Sequence, residues 1–254
     1  MIEQPELLRA VVENPDLDAP RLAYADWCAT IDEDDMRARA EFIRGQIDLL
    51  LTSPEILHSG GAHRLQRRVA ELARTWQRVW SEPLLPDVAS CAFQRGFIGH
   101  VKMSAVQFLE NAERVFALSP IQHLDLTGVR ERRDDVLASP FLGRLKSLSL
   151  DGCGLGAEDV QVIGSTPALL GLRWLSLRNN RLNLDGARAI AASPILKGLR
   201  VIQMTGNPVD PTEQLGIESG EVVHANLPES GEILEREFGP LPWLHWTRGA
   251  SRFA

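Results

Sequence analysis

The sequence has little of what staples, anchors or activates small proteins. Its three cysteines, Cys28, Cys91 and Cys153, stand far apart and form no CxxC pair. An odd, scattered set excludes a disulfide framework and a structural zinc site, and fits reduced thiols in a cytoplasmic protein. No uncharged apolar run approaches a membrane span. Met1 to Glu6 has neither the basic region nor the apolar run of a signal peptide. Lysine is almost missing: only Lys102, Lys146 and Lys197 contribute to 27 basic residues, a bias that fits a GC-rich bacterial genome. A dense basic stripe is absent as well. Residues 1–90 carry a net −6, residues 91–207 a net +4 and residues 208–254 a net −5. That distribution does not look like a nucleic-acid footprint, which leaves nucleic-acid binding a distant fourth reading, while the mildly basic middle can attract an acidic partner surface.

Catalytic signatures are missing too. No serine sits in a GxSxG elbow, and no glycine-rich loop leads into Lys-Ser/Thr. The histidines show neither HxxxH nor HExxH spacing. Asp32-Glu33-Asp34-Asp35 lacks the spaced ligands and glycine of a calcium loop and reads as solvated, as do His58 and His63 beside a glycine turn. These absences predict no catalytic residue, no metal and no cofactor. With 44 % apolar residues, the chain nevertheless has enough to build a core.

What is present is a repeat. Ile121 to Leu126, Leu145 to Leu150, Leu172 to Leu177 and Leu199 to Met204 all read LxxLxL, with conservative apolar changes. The second apolar position falls at 124, 148, 175 and 202, giving periods of 24, 27 and 27 residues. A weaker copy, Ile98 to Met103, stands 23 residues earlier. These periods lie in the leucine-rich repeat range. Cys153, Asn180 and Asn207 follow three residues after the last strand apolar position, with Val129 at that place in the first repeat. There the chain turns out of strand pairing, so a polar side chain inside the turn must satisfy orphaned backbone groups. Leu155 and Leu182 follow at inward positions. Helices are expected around Asp159 to Ile163 and Asp185 to Ala192, with Asp185 as N-cap. Ser139-Pro140, Thr166-Pro167 and Ser193-Pro194 end the helical stretches, because proline cannot donate the next bond.

The repeat predicts an α/β fold: a short leucine-rich repeat solenoid with a concave parallel sheet and convex helices, of the ribonuclease-inhibitor-like length. Residues 91–210 supply a lead-in strand and about four repeats. Residues 1–90 form a helical domain, with helices at Pro20 to Thr30, Arg37 to Leu50 and Arg64 to Trp80, and turns at Ser53-Pro54 and Ser59-Gly60-Gly61. Residues 211–254, with a helix at Glu232 to Phe238 and the apolar Leu241 to Trp246, read as the cap that covers the last repeat.

Two words in the helical domain are more specific. Asn14 to Trp27 (NPDLDAPRLAYADW) and Arg39 to Gln46 (RAEFIRGQ) resemble the signature of the bacterial repeat-companion domain, and Gln94-Arg95-Gly96-Phe97 resembles that family's junction into leucine-rich repeats. A leucine is more usual where Cys28 stands. The resemblance covers about residues 5–50 and 93–210 and implies an architecture without a characterised activity. Asp26 and Arg44, one in each word, are placed to pair between helices.

Function is expected on the concave face. Strand positions between the inward leucines form three columns: His100, His123, Ser147, Trp174 and Val201; Lys102, Asp125, Ser149, Ser176 and Gln203; Ser104, Thr127, Asp151, Arg178 and Thr205. Trp174 would expose a large apolar surface there unless the N- or C-terminal domain covers it, and tryptophan and arginine are the residue types of binding hot spots. Trp174 with Arg178 therefore anchor the predicted surface, and replacing both with alanine is expected to leave the fold intact. His100, His123 and Asp125 could bind a metal, but no further strong ligand appears on the level of the two histidines, so a polar surface is the better reading. The chain is expected to be a non-catalytic, monomeric, cytoplasmic scaffold or adaptor with a protein partner, binding neither nucleic acid nor membrane. Two alternatives are a regulator of a nucleotide-binding enzyme such as a small GTPase, on fold analogy alone, and a metal-dependent enzyme.

Overall fold

The computed structural model of the chain describes residues 4–53, 60–218 and 221–245. The structure is mixed α/β and divides into two compact units: residues 1–102 with 111–122, and residues 103–110 with 123–254.

Among the described residues the first unit begins with the helices α1 (Pro5–Glu13), α2 (Ala19–Ala29), α3 (Asp34–Leu51) and α4 (Gly60–Ser81). Pro5 and Pro20 sit in the first turns of α1 and α2, where a missing N–H costs nothing. Asp34 and Asp35 open α3 at the positive end of its dipole. Gly60 and Gly61 belong to the first turn of α4 and not to the expected glycine turn, since N–H groups there need no helical acceptor. Pro54, His58 and Ser59 lie outside the described residues.

Helix α3 is buried on two sides. Met36, Ala40, Ile43 and Ile47 pack with Ala25 and Cys28 of α2. Ala38 and Phe42 pack with Val69, Leu72 and Trp80 of α4. The close approach on that second side needs Gly45, where a Cβ would lie 2.7 Å from a Val69 methyl. The expected Asp26–Arg44 pair is present at 2.6 Å between exposed side chains, a geometry worth under about 1 kcal/mol.

An antiparallel hairpin of β1 (Ser90–Gln94) and β2 (Phe97–Ser104) follows. Its turn ties the two sequence words together. Arg21, almost fully buried, donates to the carbonyls of Pro15, Gln94 and Arg95. Arg95 reaches back to the Pro15 carbonyl at 2.6 Å and to Asp18 at 3.1 Å. The Gly96 N–H donates to Gln46 Oε1 at 2.7 Å. The division between units runs through helix α5 (Ala105–Leu118), a helix the sequence reading left unassigned.

The second unit opens its parallel array, among the described residues, with the short strands β3 (His123–Thr127), β4 (Ser147–Ser149), β5 (Trp174–Ser176) and β6 (Val201–Gln203). They pair in chain order and in parallel, with Leu124, Leu148, Leu175 and Ile202 in register. All four are at most 4 % exposed. Parallel neighbours require a crossover, and each is supplied by a helix: α6 (Arg133–Leu137), α7 (Ala157–Ile163) and α8 (Leu184–Ala192). Proline opens the 3-10 turns Pro140–Arg144 and Pro167–Gly171 that return the chain to β4 and β5. The N-cap of α8 is Asn183, whose side chain accepts from the Gly186 N–H at 3.1 Å, and not Asp185. Asp185 instead stands in the first turn and pairs with Arg188 at 3.2 Å. Asp159 holds the start of α7 by accepting from the Gly156 N–H at 2.8 Å.

After β6 come an antiparallel hairpin, β7 (Gln214–Glu218) and β8 (Glu221–Asn226), helix α9 (Glu229–Phe238) and the 3-10 turn Pro242–Leu244. Leu234, Trp243 and Leu244 are buried. Arg188 grips Glu237 with two bonds of 2.8 and 2.7 Å, fixing α9 to α8. The Glu213 N–H donates to the Leu244 carbonyl at 2.7 Å. The expected cap segment thus folds as strands, helix and turn; Trp246 lies outside the described residues. Among the described residues no helix is long and apolar enough to cross a membrane.

Candidate functional site

Strand register in the second unit places the candidate residues in rows. His123, Ser147, Trp174 and Val201 stand side by side, and so do Asp125, Ser149, Ser176 and Gln203. Burial divides each row. Ser147 and Ser176 are fully buried, Ser149 is 6 % exposed and Trp174 8 %. Both faces of β4 and β5 are therefore interior. This corrects the expected exposure of Trp174: it is a core side chain and not an open hot spot. His123 is also buried, and Asp125 is half-buried. In the first unit, β2 carries His100, half-buried, and Lys102, exposed. Among the described residues no group of three or more His, Cys, Asp and Glu side chains is placed to hold a metal.

Accessible chemistry collects at the carboxyl ends of β4 to β6. Asp151 follows β4 and is half-buried; Arg178 follows β5 and is exposed. The Asp151 carboxylate accepts from the Arg178 backbone N–H at 2.9 Å, from its Nε at 3.1 Å and from the Ser176 hydroxyl, and lies 3.0 Å from its Nη2. Ser176 Oγ also meets Gln203 Oε1 at 3.5 Å. Backbone and side chain of Arg178 are thereby held by one carboxylate, so the guanidinium has a fixed direction.

Arg178 lines a pocket of about 230 Å³ together with Val201, Gln203, Glu213, Trp243 and His245. The His245 ring lies 2.9 Å from Glu235 and 3.7 Å from Glu213. The hydrogen bond to Glu235, aided by the charges of both carboxylates, raises the imidazole pKa. Trp243, Glu213 and His245 escaped the sequence reading as site residues. The apolar segment was visible, but its placement beside Arg178 depends on the strands and helix between them.

The turn residues lie beneath this rim. Asn180 donates to the Leu150 carbonyl at 2.9 Å and accepts from the Leu155 N–H at 3.0 Å. Asn207 repeats the arrangement one turn on, with the Leu177 carbonyl at 2.7 Å and the Leu182 N–H at 3.0 Å. Cys153 makes weaker sulfur contacts, 3.4 Å to the Leu126 carbonyl and 3.7 Å to that of Asp151. Burial pushes its thiol pKa up, and does the same at Cys91 and at Cys28, which reaches about 11. All three are protonated at neutral pH and weak nucleophiles.

No protein-family model, curated protein or solved structure matches the chain.

Proposed function

We propose that the chain is a leucine-rich repeat protein with an N-terminal repeat-companion domain, acting as a non-catalytic scaffold for a protein partner. The repeat reading is supported by strands spaced 24, 27 and 27 residues apart that pair in register, and by asparagines doing the same backbone work in successive turns. The protein works as a cytoplasmic monomer.

The observation that carries the binding reading is the clamped, exposed Arg178 on the wall of the pocket. Arginine is enriched in binding hot spots, and a side chain already fixed loses less entropy when a partner docks. The partner accordingly presents a carboxylate for Arg178 beside an apolar side chain for the pocket. The buried serines and Trp174 support this rim from inside without meeting the partner.

Affinity purification from the native cell with wild-type and Arg178→Ala protein tests this. Arg178→Ala, which removes a partly exposed ion pair to Asp151, costs under about 1 kcal/mol of unfolding free energy and loses the partners. Trp174→Ala, by contrast, costs about 3–5 kcal/mol of stability. Recovery of the same partners by Arg178→Ala removes the rim from the binding surface.

A further inference from the structure

Arg39, on the second sequence word and on α3, is held by rings alone. Its guanidinium carbon lies 4.8 Å from the Trp80 ring centroid, 5.0 Å from that of Phe97 and 5.3 Å from that of Phe93. It makes no hydrogen bond or ion pair among the described residues, and its Nη1 is sealed from solvent without a partner. Arg21 of the same unit shows the ordinary solution, with backbone carbonyls closing around a buried guanidinium.

Arg39 is half-buried, and cation–π contacts of about 0.5–2 kcal/mol offset only part of the cost of drawing its charge, and above all the sealed Nη1, away from water. Burial lowers the Arg39 pKa to about 10, which still leaves it charged at neutral pH. The site therefore keeps a cation whose unfilled donors would be satisfied by an anion.

Room for one is beside it. A cavity of about 70 Å³ is bordered by Arg39 with Leu8, Tyr24, Met36, Trp80 and Phe97. A single water needs about 10–15 Å³ of such space, so the cavity accepts a small organic molecule. Its walls select the kind. One guanidinium matches one carboxylate in a bidentate pair. A dianion such as phosphate would leave charge uncompensated in an apolar site, and Asp35, also on the wall, repels it more strongly than a monoanion. Ser119, another wall residue, already donates its hydroxyl to the Ile98 carbonyl at 2.8 Å. The remaining surface is aliphatic or aromatic and suits an apolar body.

We propose that this cavity of the first unit binds a small monocarboxylic acid with an apolar or aromatic body, its carboxylate paired with Arg39. The site is separate from the Arg178 rim and does not depend on it.

Butyrate and benzoate, each against its neutral amide, are the probes for the full-length protein. Isothermal calorimetry reads affinity, and the methyl NMR resonance of Met36 reads location. At least one acid is expected to bind at least about tenfold tighter than its amide and to move the Met36 methyl. Arg39→Met, which replaces the cation by an apolar side chain of similar length, is expected to lose that preference. The proposal is overturned if neither acid binds, if acid and amide bind alike, if Met36 stays still, or if Arg39→Met keeps the preference. Should Arg39→Met fail to fold, the acid–amide comparison on the wild-type protein decides alone.

Discussion

Gly96 is the residue at which backbone conformation and packing coincide. Its φ is +82°, in the left-handed region, and an added Cβ would stand 2.7 Å from the Ile43 Cα. Left-handed backbone costs a non-glycine residue about 1–2 kcal/mol, and overpacking against backbone adds about 1–3 kcal/mol. Gly128 shares the conformation, φ +66°, but has open space around it. Gly96→Ala is therefore expected to lose about 2–5 kcal/mol in urea unfolding, and Gly128→Ala only the smaller conformational part. Equal losses would show that Ile43 yields and that packing is not what fixes the turn. Single residues also mark how far the sequence can be read. Asn180 and Asn207 were legible because the repeat marks their position, although the groups they satisfy, on Leu150 and Leu155 and on Leu177 and Leu182, lie one repeat earlier. Trp174 was not, because burial belongs to whatever covers a side chain. Arg39 was visible only as part of a word, since its rings come from Trp80, Phe93 and Phe97, remote in sequence.

At the scale of elements, periodicity found the helices whose apolar stripes are long. α2, α3, α4, α7, α8 and α9 fall within a few residues of their expected bounds. It missed β1 and the β7–β8 hairpin, whose pairing is antiparallel and outside the repeat. The segment after β6 is anchored by side chains from three places. His245 touches Glu235 of α9 and Glu213 ahead of β7, and Arg188 of α8 holds Glu237. The His245 pKa is raised above its ordinary value near 6.5 by these carboxylates. A raised folded-state pKa gives stability that is fully present below the unfolded pKa and is lost as pH rises through the folded value. The pair is partly exposed, so its contribution is under about 1 kcal/mol. The stability difference between wild type and His245→Gln is expected to be larger at pH 5.5 than at pH 9, and Glu235→Gln is expected to flatten it. A difference that stays constant with pH would remove the charge interaction from the anchoring of this segment.

At the scale of the molecule, the second unit is organised as a row. Each of β3 to β6 pairs only with its neighbours in chain order, and the column Leu124, Leu148, Leu175 and Ile202 runs through its core. Strands about 4.8 Å apart put Leu124 beside Leu148 and roughly 14 Å from Ile202. Side chains in contact share a cavity when both are cut back, while sites beyond about 10 Å add independently to within about 0.5 kcal/mol. A row of repeats should therefore show coupling that decays with strand separation. Each alanine substitution alone is expected to cost about 2–5 kcal/mol. Leu124→Ala with Leu148→Ala should depart from additivity by about 0.5 kcal/mol or more, and Leu124→Ala with Ile202→Ala should add. Double-mutant cycles by urea denaturation measure both. Coupling of equal size in the two pairs would mean that the unit unfolds around one undivided core, and that its periodic sequence does not make its energetics one-dimensional.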